Sequence, residues 1–173
     1  MTKTRMIGLL VALFVFLIDQ GTKWCVTGPL NLYYEGARRE LLPFFDLRYV
    51  ENNGVSLGLL EANSDLTRWA LVALTGAIAI GVFLWLWRER MTGEAVGLGL
   101  VLGGALGNIL DRTRLGFVVD FADFHIGSWR PFLVFNVADA AITIGVAVLL
   151  IRAFFKRDTP SSRRSGMENN LNA

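Results

Sequence analysis

Long apolar runs separated by short polar stretches dominate the chain and predict four membrane-spanning helices. A span needs about 20 mostly apolar residues, and these runs are of about that length. We predict helices at about residues 6–24, 69–87, 95–111 and 134–155. The run at 69–87 contains no charge and has tryptophans near both ends, as is typical of membrane interfaces.

The stretch between the first two helices, about residues 26–65, predicts an extramembrane β element. Residues 41–50 mix apolar and polar side chains as short strands do, and Asn52-Asn53-Gly54 is a turn signal that we expect between such strands. The stretch is too long for a simple loop. The predicted fold class is an all-α membrane protein with four transmembrane helices and a small β element between helices 1 and 2, lying on the membrane surface.

The remaining polar segments complete one transmembrane domain at about residues 1–157. A polar outer loop at 112–133 precedes the last helix. Residues 158–173 lack apolar periodicity and are predicted to form a disordered cytoplasmic tail.

Three glycines in the third helix, Gly99, Gly103 and Gly107, recur at every fourth residue. This small-xxx-small spacing lets two helix backbones approach closely. We therefore predict that this face of the helix packs against another helix.

Composition narrows the possible chemistry. Hydrophobic residues make up 53% of the chain and the net charge is only +2, so an integral membrane protein is predicted and a nucleic-acid partner is not. Because the chain has only one cysteine, Cys25, it cannot form an internal disulfide. Its only histidine, His125, cannot build a His-based zinc site without further histidines. No metal or cofactor is expected.

The distribution of positive charge predicts the orientation in the membrane. Unbalanced positive charge collects on one side of the predicted helices, at Lys3, Arg5, Arg88, Arg90, Lys156 and Arg157. The two larger loops contain about as many acids as bases. The positive-inside rule therefore puts both termini in the cytoplasm and both larger loops outside.

Two aspartates are the main candidates for chemistry. Asp139 lies at the head of the last apolar run, where a charge is costly and usually functional, and Asp120 lies in the preceding loop. Two adjacent carboxylates share a proton, and such a pair can activate water without a metal. The structural alternatives are an ion pair of Asp139 with Arg112 or Lys23, and a solvated loop acid at Asp120.

Other polar residues near the same end have structural readings. Asp19 and Lys23 have the spacing of a local ion pair within a helix. Interhelical hydrogen bonds could join four others, namely Asn108, Asp111, Arg112 and Asn136. A serine triad that uses His125 with Ser128 or Ser56 lacks a nucleophile motif and is the weakest hypothesis.

Two other classes of function remain open on these residues. A small proton-coupled transporter or channel subunit would also place acids within helices, although no inverted repeat is evident. A non-enzymatic assembly protein would use the glycine face and leave both aspartates without a role.

Five motifs, in order along most of the chain, resemble the bacterial lipoprotein signal peptidases (signal peptidase II). These are intramembrane aspartyl proteases with four transmembrane helices. The motifs are Asp19-Gln20-Gly21-Thr22-Lys23, Asn52-Asn53-Gly54, residues 103–112 (GGALGNILDR), Val118-Val119-Asp120-Phe121 and Phe135-Asn136-Val137-Ala138-Asp139.

The resemblance implies a role for each matching position. Asp120 and Asp139 correspond to the catalytic dyad. The family positions that hold the substrate or orient the dyad correspond to Asn52, Asn108, Arg112 and Asn136. The positions that give structural support correspond to Asp19, Lys23 and Asp111. The chain departs from the family pattern at Val55-Ser56-Leu57. It also departs at Pro131, because the proline that commonly lies close before the last motif lies earlier in this sequence.

The implied substrate is a prolipoprotein that carries diacylglycerol on a cysteine, cut just before that cysteine. The implied location is the bacterial inner membrane, among membrane lipids, with the active site near the outer face. A monomer is expected.

Overall fold

The computed structural model describes residues 2–54 and 65–155. Four helices run from Lys3–Thr27 (α1), Asp65–Arg88 (α2), Thr92–Arg114 (α3) and Val137–Phe155 (α4), and three strands from Arg38–Leu42 (β1), Phe45–Asn52 (β2) and Val118–Phe124 (β3). All four helices are long and apolar enough to cross a membrane, which confirms the predicted fold class. The predicted tail, the positive charges at Lys156 and Arg157, and Val55-Ser56-Leu57 lie outside the described residues.

Helix α3 is the centre of the bundle, and the other three helices pack around it. The predicted glycine face packs on α1, because a Cβ added to Gly99 would collide with the carbonyl oxygen of Gly8, and one added to Gly103 with that of Ala12. The outer helices expose many large apolar side chains, such as Phe14 and Ile80, as a surface in contact with lipid does.

The three strands form one antiparallel sheet in the order β1-β2-β3. It covers the end of the bundle where α1 and α3 finish and where α2 and α4 begin, which we call the sheet end. At the opposite end, the guanidinium of Arg5 lies 5.3 Å from the ring centroid of Trp87, which joins the start of α1 to the end of α2.

The sequence-based prediction of a polar loop at 112–133 is wrong in two respects. Residues 112–114 belong to α3, and residues 118–124 form β3. Six of the seven β3 residues are buried, so the strand lacks the alternating pattern that marks a strand with one solvated face. The β element is therefore built from two distant parts of the chain.

The turn predicted at Asn52-Asn53-Gly54 does not connect two strands. Strand β2 ends at Asn52, and Gly54 has a φ of 78°, a conformation that favours glycine as the chain leaves the sheet. The hairpin between β1 and β2 instead turns at residues 43–44.

The observed helix ends differ from the predicted ones by a few residues. Helix α4 begins at Val137, three residues later than predicted, because the preceding chain pairs with β3. The backbone N–H of Ala122 donates to the carbonyl of Phe135 at 2.8 Å, and the N–H of Phe135 donates to the carbonyl of Ala122 at 3.1 Å. This pairing holds the start of α4 beside the middle of β3.

Candidate active site

Asp120 lies on β3, with its carboxylate between two asparagine side chains. The Nδ2 of Asn52, on β2, donates to Asp120 Oδ2 at 2.9 Å, and the Nδ2 of Asn136 donates to Asp120 Oδ1 at 2.7 Å. The residue is only 2% exposed. The antiparallel pairing of β2 with β3 therefore brings Asn52 to the carboxylate.

Asp139 lies in the first turn of α4 and is half-buried. Its Oδ1 accepts a hydrogen bond from Asn108 Nδ2 at 2.8 Å, and its backbone N–H donates to Asn136 Oδ1 at 2.9 Å. Asn136 thus caps the start of α4 in the way that asparagine commonly does.

The two predicted aspartates come together in one site, joined by two carboxamides. Asn136 Nδ2 also donates to Asn108 Oδ1 at 3.2 Å, which completes a chain from Asp120 through Asn136 and Asn108 to Asp139. The predicted interhelical hydrogen bond between the asparagines is confirmed. Within the described residues, no ion pair closer than 4.0 Å joins Asp139 to Arg112 or Lys23.

The environment of Asp120 favours its protonated form. Burial raises the pKa of Asp120 to about 7, and the negative charge of Asp139 adds to the effect, while the hydrogen bonds from Asn52 and Asn136 oppose it. A carboxyl that keeps a proton near neutral pH, beside a second carboxyl, can donate and accept protons at a bound molecule.

Arg112 lies one turn beyond Asn108 on α3 and borders the same site. It is close enough to Asp139 and Asp120 to interact with both electrostatically. Its Nε is buried and has no hydrogen-bond partner among the described residues. A Cβ on Gly54 would lie 3.2 Å from Arg112 Nη2, so the glycine leaves room for the guanidinium.

A buried ion cluster supports the site from the side of α1. Lys23 Nζ lies 2.8 Å from Asp19 Oδ2 and 2.7 Å from Asp111 Oδ2, which confirms the predicted pair of Asp19 with Lys23. Asp19 Oδ1 accepts from the backbone N–H of Ala138 at 3.0 Å, and Asp111 Oδ2 from that of Val119 at 3.2 Å. The cluster therefore fixes the residues adjacent to both Asp139 and Asp120.

Sequence reasoning missed two residues of this framework. Gln20 Nε2 donates to Asp111 Oδ1 at 3.0 Å, and the only signal for it was its place in the first motif. Arg68 donates from Nε to the carbonyl of Arg112 at 2.7 Å and from Nη2 to that of Thr113 at 2.6 Å. Arg68 gave no signal, because a charge just before an apolar run resembles an ordinary helix boundary.

His125 lies away from the two aspartates, just after the end of β3. Its Nε2 is 2.9 Å from Asp46 Oδ2, and no hydrogen bond joins it to the exposed Ser128. Ser56 lies outside the described residues. Across 2–54 and 65–155, no group of three or more His, Cys, Asp or Glu side chains is arranged to hold a metal ion.

Comparison with known proteins gives one consistent family. The family model described as Signal peptidase (SPase) II matches residues 11–155. The lipoprotein signal peptidase of Rhizorhabdus wittichii is 59% identical over 154 residues, covering 89% of each chain. That of Sphingopyxis alaskensis is 56% identical over 146 residues, covering 84% of each chain.

Two solved structures, both described as bacterial membrane enzymes, share the fold. One has a TM-score of 0.75 at 29% identity and covers 90% of this chain and 92% of its own. The other has a TM-score of 0.74 at 31% identity and covers 88% of this chain and 94% of its own.

Proposed function

The chain belongs to the signal peptidase II family, and we propose that Asp120 and Asp139 together hydrolyse a prolipoprotein just before its diacylglyceryl-modified cysteine. The family membership itself makes the protein a lipoprotein signal peptidase, and hence a protease that acts on prolipoproteins. The position of the cut and the aspartic mechanism are the finer parts of the proposal.

The observation that carries the mechanism is the linked pair of carboxyl groups in different environments. Asp120 is buried and Asp139 is half-buried, and Asn136 and Asn108 connect them. Because the pKa of Asp120 is raised to about 7, we assign Asp120 the role of proton donor, and Asp139 the role of base.

The reaction follows from these roles. Asp139 takes a proton from a water molecule as the water oxygen attacks the carbonyl carbon, and Asp120 gives its proton to the carbonyl oxygen. The resulting gem-diol collapses when Asp120 takes a hydroxyl proton back and Asp139 passes its proton to the leaving nitrogen. The C–N bond breaks, and both aspartates return to their starting states.

Arg112 is suited to stabilise the substrate as charge develops. Its buried Nε has no partner among the described residues, and a guanidinium binds carbonyl or oxyanion oxygens with several donors. Arg68 fixes the backbone at Arg112 through two short hydrogen bonds. We assign Arg112 to the scissile carbonyl or a neighbouring one.

The depth of the site fits a substrate that stays in the bilayer. Asp139 is in the first turn of a membrane-spanning helix, so the cut lies close to the membrane surface at the sheet end. We propose that the sheet end faces outward, where the diacylglyceryl chains can remain among lipids. A single chain already joins both aspartates through Asn136 and Asn108, so we propose a monomer as the active unit.

A cleavage assay with matched precursors tests the position of the cut. The purified protein is given a diacylglyceryl-modified precursor, the same precursor without lipid, and a variant whose lipidated cysteine is serine. Mass spectrometry is expected to find only the first one cut, with the modified cysteine at the new N-terminus. Equal cleavage of the unmodified precursor, or a cut elsewhere, would contradict the proposal.

A further inference from the structure

An open apolar groove lies between α1 and α2, with α3 as its floor. Its volume is about 780 Å³, within the range of about 300–1,000 Å³ that is typical of ligand sites. Large aliphatic and aromatic side chains from all three helices line it, and no lining residue is charged. The groove exists because α1 and α2 each pack on α3, whereas the cation–π contact of Arg5 with Trp87 draws them together at the opposite end.

A second, polar cavity of about 380 Å³ follows at the sheet end. Phe16 lines the groove and Gln20 lines the second cavity, one turn further along α1. On α3, Leu110 lines the groove, and Arg114, one turn further along, lines the second cavity. Since residues four apart share one helix face, the two cavities succeed each other along the same side of the bundle.

The apolar part of this path has the depth of one leaflet. From Leu9 to Gln20, α1 rises about 16 Å at its usual 1.5 Å per residue. Half of a hydrocarbon core of about 30 Å is about 15 Å. The groove therefore runs along the bundle for about the thickness of one leaflet, up to the polar cavity at the sheet end.

The polar cavity has the chemistry of a headgroup site. Trp24 and Tyr33, 66% and 61% exposed, line it with the kind of aromatic side chain that is common at membrane interfaces. Lys23 and Asp111 also line it, but Lys23 is shared between Asp111 at 2.7 Å and Asp19 at 2.8 Å and is not available to a bound anion. Arg114 is exposed and forms no ion pair with a described residue, so it is the cation available to an anionic group.

We propose that this path is a binding site for a phospholipid of the leaflet on the sheet side, separate from the candidate active site. Its acyl chains lie in the groove between α1 and α2, and its phosphodiester pairs with Arg114. Asn108 and Asp139 meet on the α4 side of α3, so the bound lipid and the peptide substrate occupy different faces. The lipid fills the space that α1 and α2 leave between them.

Four variants in matched pairs test the site. Leu106→Trp fills the groove, and Leu84→Trp puts the same side chain on a lipid-exposed position outside it. Arg114→Gln removes the proposed phosphate ligand, and Arg90→Gln removes an exposed charge at the opposite end. Each protein is purified in detergent, incubated with phosphatidylglycerol or phosphatidylethanolamine, and measured by native mass spectrometry and thermal unfolding.

The wild type is expected to retain one phospholipid and to unfold at a higher temperature when either lipid is added. Leu106→Trp should lose retention, and Arg114→Gln should weaken lipid binding about tenfold or more, as the loss of a charge-assisted bond does. Both controls should behave as the wild type does. Inorganic phosphate, which offers the anion without acyl chains, should not change the unfolding temperature.

Several results would overturn the site. These are equal retention in Leu106→Trp and Leu84→Trp, no retained lipid in the wild type, an equal thermal shift with inorganic phosphate, or a second copy of the chain bound through the groove. Thermal unfolding without lipid shows whether each variant is folded. Cleavage of the precursor by folded Leu106→Trp is measured as well. If this variant still cleaves, the active site works whether or not the lipid site exists, so the two proposals can fail separately.

Discussion

At the scale of single residues, the asparagines decide how the two aspartates differ. The side chain of Asn52 donates to Asp120 Oδ2 at 2.9 Å and otherwise accepts only from the nearby backbone N–H of Gly54 among the described residues, while Asn136 bonds to Asp120 and also caps α4. Removing Asn136 would therefore disturb both the carboxylate and the helix. Asn52 offers the cleaner test of the environment of Asp120.

Replacing Asn52 is expected to shift the pH dependence of cleavage. The hydrogen bond from Asn52 lowers the pKa of Asp120, so Asn52→Ala should raise that pKa further above its ordinary value. Because Asp120 acts as the proton donor, activity falls when Asp120 ionises at alkaline pH. The alkaline limb of the kcat/KM profile should therefore move to higher pH in Asn52→Ala.

The neighbouring Asn53→Ala is the matched control, since Asn53 makes no hydrogen bond with a described residue. Its pH profile should coincide with that of the wild type. An alkaline limb of Asn52→Ala that stays in place, or that moves to lower pH, would argue against Asp120 as the proton donor.

A residue could be predicted from the sequence where its charge was energetically costly at that position or where its spacing matched a helical pattern. A residue whose type is common at its position could not be predicted. A charge in a membrane run pointed to Asp139, and helical spacing pointed to the pair of Asp19 with Lys23. Arg68 acts on backbone carbonyls of a different helix, at Arg112 and Thr113. Such a contact depends on the crossing of two helices, which local sequence does not encode.

At the scale of elements, apolar length predicted the helices, but long-range pairing decided the sheet. Strand β3 pairs with β2 across the whole of α2 and α3, with Val50 opposite Asp120. Burial on both faces removed the alternation that predicts a strand. The same pairing draws Phe135 onto β3 and so delays the start of α4, which places Asn136 at the carboxylate.

The glycine face of α3 gives a prediction about stability. In Gly103→Val, the new side chain meets the backbone of Ala12 on α1, which has no freedom to rotate away. Overpacking of this kind costs about 1–3 kcal/mol. Thermal unfolding in detergent should therefore occur at a clearly lower temperature than in the wild type.

Gly81→Val is the control for this change, because a Cβ at Gly81 on α2 meets nothing within 4 Å. It should unfold close to the wild type. Equal loss of stability in the two variants would mean that the α1–α3 contact is not the cause.

At the scale of the whole molecule, the distribution of charge separates the two ends. Every charged residue of the described helices lies within a few turns of a helix end, and both candidate aspartates lie at the sheet end. An ion path would need polar groups through the depth of the membrane. This arrangement favours a reaction at one surface over transport across the bilayer.

The proposed orientation predicts which end can be labelled from outside. In a Cys25→Ser background, Glu40→Cys puts a thiol on the exposed β1, and Arg90→Cys puts one at the opposite end. A membrane-impermeant maleimide should label Glu40→Cys in intact spheroplasts and Arg90→Cys only after permeabilisation. The reverse pattern would contradict an outward-facing sheet.

The central claim is that Asp120 and Asp139 act as one unit, and the most direct test is the cleavage rate of four proteins. These are the wild type, Asp120→Asn, Asp139→Asn and the double variant, each shown to be folded by thermal unfolding and given the diacylglyceryl-modified precursor. Each single change should slow cleavage by at least about 100-fold, because the amide neither accepts nor donates the required proton. The double variant should be no slower than the single ones. A single variant that keeps more than about a tenth of the wild-type rate, or losses that multiply in the double variant, would contradict the dyad.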